Sequence, residues 1–154
     1  MSAVRIALQA RVRGWSPARG ELVAWASAAL GRRARGRELG IRLVGPAESR
    51  RLNARFRGRD RPTNVLSFPA AGFPVASGAE PAPLGDLVIC TQVLRREARA
   101  QAKSLRAHWA HLIVHGSLHL IGYDHERERD AERMERREIR ILRQLGFANP
   151  YRTV

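Results

Sequence analysis

The apolar residues of the chain recur in two patterns, and the shorter pattern occurs at four places. In these places apolar residues alternate with polar ones or form a brief apolar run, as in strands buried on one or both faces. The pattern predicts strands over residues 4–8, 39–44, 64–68 and 86–90. Residues 69–85 are rich in proline and glycine, and they predict a long exposed loop.

The second pattern, with apolar residues three and four positions apart, predicts helices. Ser16-Pro17 is a typical helix start, because a serine hydroxyl caps the first turn and proline suits its first position. Pro46 opens a second, shorter helix. Thr91 and Ser104 are expected to cap two further helices.

A fifth helix is predicted over residues 126–145, and it ends at Gly146. Its arginine and glutamate side chains are expected to form a solvated face, since pairs such as Glu132 and Arg136 have the supporting i, i+4 spacing. Its buried stripe is expected to contain Met134, Ile141, Leu142 and Leu145. Four strands and about five helices predict a small single-domain α/β (α+β-like) fold over residues 1–154, with helices packed on a four-stranded mixed sheet.

Charge points to a polyanionic partner. The chain has 28 lysine and arginine residues against 14 acidic ones, a net charge of +14, and residues 1–61 hold 15 arginines against four acidic residues. A biased composition could replace lysine by arginine, but it would not create the positive excess. Nucleic acid is favoured over a membrane, because no basic amphipathic helix with an aromatic face is evident.

Membrane spans and export signals are not evident in the sequence. The longest apolar stretch, residues 22–30, is far shorter than the roughly 20 residues that a span requires. We therefore expect a cytoplasmic protein without membrane contact. The one cysteine, Cys90, excludes an internal disulfide and is expected to pack within an apolar run.

All five histidines lie between positions 108 and 125, and three of them follow the spacing H-x-x-x-H-x-x-G-x-x-H. His115 and His119 are four residues apart, so a helix places them on one face, one turn apart. Gly122 can end that helix in a left-handed conformation and return His125 to the same place. Three protein ligands leave one tetrahedral position open, as in catalytic zinc sites, and we expect one zinc ion per chain.

The simpler interpretation is that these are ordinary core or surface histidines. It must also account for the glycine and the third histidine at matching positions, so metal binding is favoured for the three. For His108 and His111, core or surface roles are favoured over contact with a ligand or substrate. The spacing is also that of metzincin proteases, but the general-base glutamate that follows their first histidine is replaced here by Gly116.

Zinc without that glutamate can still acidify water and polarise a phosphoryl oxygen. Phosphodiester cleavage suits both the metal and the positive charge, and it requires a cation near the phosphate. The basic turn at residues 57–64 is a candidate source of this cation. Arg57 and Arg59 are its candidate substrate-binding residues, although a solvated loop charge is an equally open interpretation for each.

Several segments along the chain match a known family. They are Leu52-Asn53, Phe56-Arg57, residues 62–69, residues 84–90, residues 108–111 and the histidine string at 115–125. Through these segments the chain resembles the YbeY endoribonucleases, also described as rRNA maturation factors, over most of its length. The family has a glycine at the position of Gly116. The main departure is a longer loop around residues 72–83.

The resemblance implies that His115, His119 and His125 bind a metal, usually zinc, which makes His115 part of the catalytic centre. It implies that Arg57 is the active-site arginine beside the metal. It also implies a sheet-and-helix fold with a basic cleft, cleavage of single-stranded RNA in late small-subunit (3′-end) rRNA maturation, ribosome quality control, and contact with the small ribosomal subunit and its proteins.

Two other functions are left open by the sequence. One is a non-catalytic ribosome assembly factor, in which zinc is structural and the arginines only dock rRNA. The other is a metzincin-like zinc peptidase, which the absence of the glutamate disfavours. Neither the attacking nucleophile nor the general acid and base is identified by the sequence.

Overall fold

The computed structural model describes residues 3–70 and 82–152. Within these residues the chain forms four strands and five α-helices, as the sequence predicted. The strands are β1 (Arg5–Ala10), β2 (Arg37–Val44), β3 (Val65–Pro69) and β4 (Ala82–Cys90). The helices are α1 (Arg19–Leu30), α2 (Pro46–Arg57), α3 (Thr91–Ala100), α4 (Leu105–Leu120) and α5 (Glu128–Gln144), with a short 3-10 turn at Gly31–Ala34.

The four strands form one mixed sheet in the order β1-β2-β4-β3. β1 and β2 are parallel, as are β2 and β4, whereas β3 runs antiparallel to β4 and lies at the edge. The parallel pairs are joined by helices, which the connection between parallel strands requires. The predicted α/β fold with a four-stranded mixed sheet is thereby confirmed.

The main core lies between one face of the sheet and the helices α1, α4 and α5. Leu39, Ile41, Leu87 and Ile89 of the sheet are almost completely buried there, together with Trp109 of α4. A smaller core on the opposite face contains Val44, Leu66, Val88, Cys90 and Val93. Cys90 is therefore packed, as expected.

Two boundaries on the sheet and its loop differ from the prediction. β4 begins at Ala82, four residues before the predicted start, because its early residues pair with β2 from Arg37 onward. This pairing between distant segments has no local sequence signal. Residues 71–81 of the predicted loop lie outside the described residues.

Three helix starts also test the predicted caps. α1 begins at Arg19 with Ala18 as its N-cap, so the start predicted at Ser16-Pro17 is wrong. Thr91 is the first residue of α3 rather than its cap. Ser104 does cap α4, since its hydroxyl accepts a hydrogen bond of 3.1 Å from the Ala107 amide. No helix in residues 3–70 and 82–152 is long and apolar enough to cross a membrane.

Gly116 brings α4 close to the sheet. A Cβ atom at this position would lie 2.8 Å from Cδ2 of Leu87, and the Gly116 carbonyl accepts a hydrogen bond of 3.3 Å from the Ser67 hydroxyl. The close approach places the histidine face of α4 beside the edge strand β3. A side chain here, such as the glutamate of a metzincin, would require Leu87 to shift.

Candidate active site

The end of α4 brings the three predicted ligands together. Gly122 adopts the left-handed backbone with φ +102°, and the Tyr123 and Gly122 amides donate to the carbonyls of Leu118 and His119 at 3.1 Å each. This pair of bonds is the Schellman arrangement, which stops a helix and reverses the chain. The reversal returns His125 toward His119, with ring centroids 4.9 Å apart.

The three imidazoles are spaced for one metal ion. One ligand nitrogen from each of His115, His119 and His125 lies within 4.8 Å of the others. Nε2 of His115 and Nε2 of His119 are 3.1 Å apart, close to the roughly 3.3 Å between two nitrogens on a tetrahedral zinc ion. His115 and His119 are half-buried and His125 is exposed, so the cluster is open to solvent on one side. The donors present fit a metal ion.

Hydrogen bonds set the tautomers of the two helical ligands. Nδ1 of His119 donates to the Tyr123 carbonyl at 2.8 Å, and Nδ1 of His115 donates to the Glu138 carboxylate. Both oxygens can only accept, so each Nδ1 carries the proton and each Nε2 keeps its lone pair for a metal. The turn after α4 thus both returns His125 and orients His119.

His119 is uncharged at neutral pH. Burial and the neighbouring His115 and His125 together lower the pKa of this imidazole to about 4, although the hydrogen bond to the Tyr123 carbonyl opposes the shift. A neutral imidazole is the form that binds a metal. Protons therefore do not compete for His119 near pH 7.

Three arginines face the histidines across one cleft. The cleft has a volume of about 680 Å³, and Arg57, Arg59 and Arg61 line it together with the three histidines. We call these arginines the arginine wall; all three are exposed. Arg57 is fixed by a hydrogen bond of 2.7 Å from Nη2 to the Ser67 carbonyl of β3.

The loop that carries the arginine wall is attached to α2 by buried polar side chains. Nδ2 of Asn53 donates to the Arg61 carbonyl at 2.8 Å, and the Ser49 hydroxyl accepts from the Thr63 amide at 2.9 Å. Nε of Arg50 lies 2.7 Å from Oδ1 of Asp60, so the negative charge of the one acidic residue in the loop is balanced by an arginine of α2.

The comparison with known families identifies this arrangement. The family model described as Endoribonuclease YbeY matches residues 18–146, which is most of the chain. The chain belongs to the YbeY endoribonuclease family. Membership implies an endoribonuclease that acts on RNA in rRNA maturation.

One solved structure shows the same fold. The solution structure of TM1509 from Thermotoga maritima is 24% identical in sequence, with a TM-score of 0.55. The match covers 93% of this chain and 91% of that one. At this identity the likeness supports the fold only.

The residues predicted for this YbeY-family chain lie at one place. His115, His119 and His125 form one side of the cleft, and Arg57 and Arg59 line the other. His108 is buried, and its Nε2 donates to the Glu97 carboxylate at 3.0 Å, away from the cluster, which agrees with a core role. His111 lies behind His115, where its Nε2 is 3.2 Å from the Tyr151 hydroxyl.

Glu138 is the site residue that the sequence analysis missed. It was placed on a solvated face of the last helix, but its side chain is completely buried and accepts hydrogen bonds from Nδ1 of His115 and the hydroxyl of Tyr151. A signal was present: position 138 is four residues after Met134 and three before Ile141, so it belongs to the buried stripe.

Glu138 keeps its negative charge in this buried position. Burial alone would raise the pKa of its carboxyl, but the imidazoles of His111 and His115 and the hydroxyl of Tyr151 outweigh burial and lower it to about 2. The charge lies directly behind His115, on the side away from the cleft. A carboxylate in this place strengthens an imidazole as a metal ligand.

Proposed function

We propose that this chain is a zinc-dependent, single-strand-specific endoribonuclease of late small-subunit rRNA (3′-end) maturation and ribosome quality control. It holds one zinc ion, acts as one domain in the cytoplasm, and contacts the small ribosomal subunit and its proteins. The observation that carries the proposal is the open cluster of three imidazoles facing the arginine wall across a single cleft. Such a cleft offers both a metal site and a binding site for phosphates.

His115, His119 and His125 are the proposed metal ligands, and His115 is catalytic through this role. A zinc ion held there would supply Lewis acidity toward a phosphoryl oxygen and would make a water molecule more acidic. Glu138 and the Tyr123 carbonyl hold two of the rings with Nε2 toward the cleft. The orientation of these two ligands is thus fixed before any substrate arrives.

Arg57 and Arg59 are the proposed substrate-binding residues. Arg57 uses two of its five N–H groups on the Phe56 and Ser67 carbonyls, and the others have no acceptor within residues 3–70 and 82–152, so they can bind phosphoryl oxygens. These contacts fix the guanidinium at the edge of the cleft. A positioned cation of this kind stabilises the negative charge that develops on the phosphate during cleavage.

Three variants separate the proposed roles in a single-stranded RNA cleavage assay combined with elemental analysis. His119→Ala is expected to lose both zinc and cleavage, whereas Arg57→Ala is expected to keep zinc and lose cleavage by about a hundredfold or more. Arg51→Ala is the matched control, because Arg51 is an exposed arginine of α2 that does not line the cleft.

Three results would contradict the proposal. Full zinc occupancy in His119→Ala would exclude the proposed ligand set. Normal cleavage by Arg57→Ala would mean that Arg57 is a solvated loop residue without a role in cleavage. If the wild-type protein bound rRNA and zinc but cleaved no single-stranded RNA, the non-catalytic assembly factor would be the better description.

A further inference from the structure

Phe56 is an exposed aromatic residue beside the arginine wall. It is 49% exposed, although it belongs to a residue type that is usually buried. It directly precedes Arg57, the last residue of α2. Its ring packs edge-on against Phe68 of β3, with the ring centroids 5.3 Å apart and the planes at 72°. This contact fixes the ring while leaving much of its surface uncovered.

Guanidinium groups flank the two rings. Cζ of Arg55 lies 5.1 Å from the centroid of Phe56, and Cζ of Arg57 lies 5.1 Å from the centroid of Phe68. Proteins that bind single-stranded nucleic acid combine these two features, since aromatic rings stack on bases while cations hold the phosphates. The segment from Arg55 to Arg57 presents both within three residues.

The two rings also line a second groove on the opposite face of the sheet. This groove has a volume of about 400 Å³, and its walls include Leu52, Phe56 and Phe68. Only the edge strand β3 separates it from the histidine cleft, because Ser67 lines the cleft while Phe68 lines the groove. Arg57 of the cleft also contacts Phe68 of the groove, since its Cζ lies 5.1 Å from the centroid of that ring.

The polar groups of the groove suit a base rather than a phosphate. Asp86 is exposed at the groove, and its carboxylate repels phosphate but accepts hydrogen bonds from amino groups of bases. Arg42 is the arginine that lines the groove, and it is already paired with Glu48 at 3.2 Å. Phosphates are therefore favoured on the arginine wall and bases beside Phe56.

We propose that Phe56 is a stacking platform for an unpaired nucleobase of the RNA whose phosphates lie along the arginine wall. The base stacks on the exposed surface of the ring, in the groove beyond the edge of β3. The proposal rests on the proposed function, because it assumes that single-stranded RNA occupies the cleft. It adds a contact to the base, whereas the arginines contact only the backbone.

The test compares Phe56 variants of the full-length zinc-loaded protein on a single-stranded oligoribonucleotide. Phe56→Ala is expected to raise KM by about tenfold, the usual effect of losing one base stack, with kcat nearly unchanged. Phe56→Tyr keeps the stacking surface and is expected to behave like wild type. Trp15→Ala is the matched control, because Trp15 is 47% exposed and lines neither depression.

Two further measurements distinguish stacking from charge and from misfolding. The slope of log affinity against log salt is expected to stay unchanged in Phe56→Ala and to decrease in Arg59→Ala, since only the second variant loses a phosphate contact. Phe56→Trp is expected to show fluorescence quenching on mixing with RNA before the first turnover. The quenching should disappear when one nucleotide of the oligomer is made abasic.

Each outcome decides one question. The stacking proposal is overturned if wild type binds and cleaves the RNA, Phe56→Ala has the same KM as wild type, and abasic nucleotides do not change the quenching of Phe56→Trp. In that case the groove would be a candidate binding site for a protein ligand instead. If wild type neither binds nor cleaves single-stranded RNA, the proposed function fails first, and the stacking proposal fails with it. Circular dichroism of each variant shows that the comparison is made between folded proteins.

Discussion

Replacement of Glu138 by glutamine is expected to weaken zinc binding without changing any metal ligand. In the native protein the carboxylate accepts from Nδ1 of His115 and from the Tyr151 hydroxyl. Glutamine has nearly the same shape, but it has no charge and only one acceptor oxygen for these two donors. The substitution therefore weakens the preference of His115 for the Nδ1-protonated tautomer and for its present orientation. It also makes Nε2 a weaker electron-pair donor to zinc.

The expected loss of zinc affinity follows from the position of the carboxylate. Loss of a carboxylate behind a histidine ligand reduces metal affinity by roughly 10- to 100-fold, which corresponds to roughly 1.4–2.8 kcal/mol. Separately, a buried donor that loses its acceptor reduces folding stability by roughly 1–3 kcal/mol. Glu138 is completely buried, so solvent cannot replace the lost acceptor.

The assay is a competition between the protein and a chromophoric zinc chelator. Glu138→Gln is expected to bind zinc about 10- to 100-fold more weakly than wild type. Glu135→Gln is the matched control, since Glu135 is an exposed glutamate on the same helix. Tyr151→Phe should have a smaller effect, because it leaves the Glu138 charge and the bond to His115 in place.

Wild-type zinc affinity in a folded Glu138→Gln protein would refute this reasoning. It would mean that the contact between Glu138 and His115 contributes to packing and not to the metal site. Imidazole nitrogen NMR of the zinc-free protein gives a second reading, because the Nδ1-protonated form of His115 should be less populated in Glu138→Gln than in Glu135→Gln.

Two further predictions concern packing and pH. Gly116→Ala should destabilise the protein by roughly 1–3 kcal/mol, because the added methyl would lie 2.8 Å from a leucine of β4. Denaturant titrations measure this difference, and a stability equal to that of wild type would contradict the close packing of α4 on the sheet. Burial raises the pKa of Glu97, but His108 and Asn64 outweigh it, so the pKa lies below its usual 4.5. A lowered carboxyl pKa stabilises the fold above about pH 4.5, and this contribution is lost as the pH falls through the lowered value. Glu97→Gln should therefore be less stable than wild type at pH 7, with a difference that shrinks at pH 3; a difference independent of pH would oppose this assignment.

The histidine cluster was predictable because its geometry is local. His115, His119 and Gly122 lie within eight residues, and the repeat of an α-helix with a glycine stop fixes their relation. The structure confirms both the helix face and the left-handed glycine. His125 needs only the short turn that follows.

The other side of the cleft depends on contacts between distant segments. The basic turn made Arg57 one candidate among several arginines, and only the family resemblance placed it beside the metal. Its position opposite the histidines follows from the pairing of β3 with β4 and the packing of α4 on the sheet. Glu138 is 23 residues from His115, and a single charged residue within a charged helix gives a weak signal. The early start of β4 likewise follows from its pairing with β2.

The central claim is that a metal held by three histidines makes this chain an endoribonuclease. The most direct test is cleavage of a single-stranded RNA by one preparation before chelation, after chelation, and after addition of one equivalent of zinc. We expect cleavage to be lost on chelation and to return with zinc, while circular dichroism shows a folded protein throughout. Undiminished cleavage by protein that elemental analysis shows to be metal-free would contradict the account.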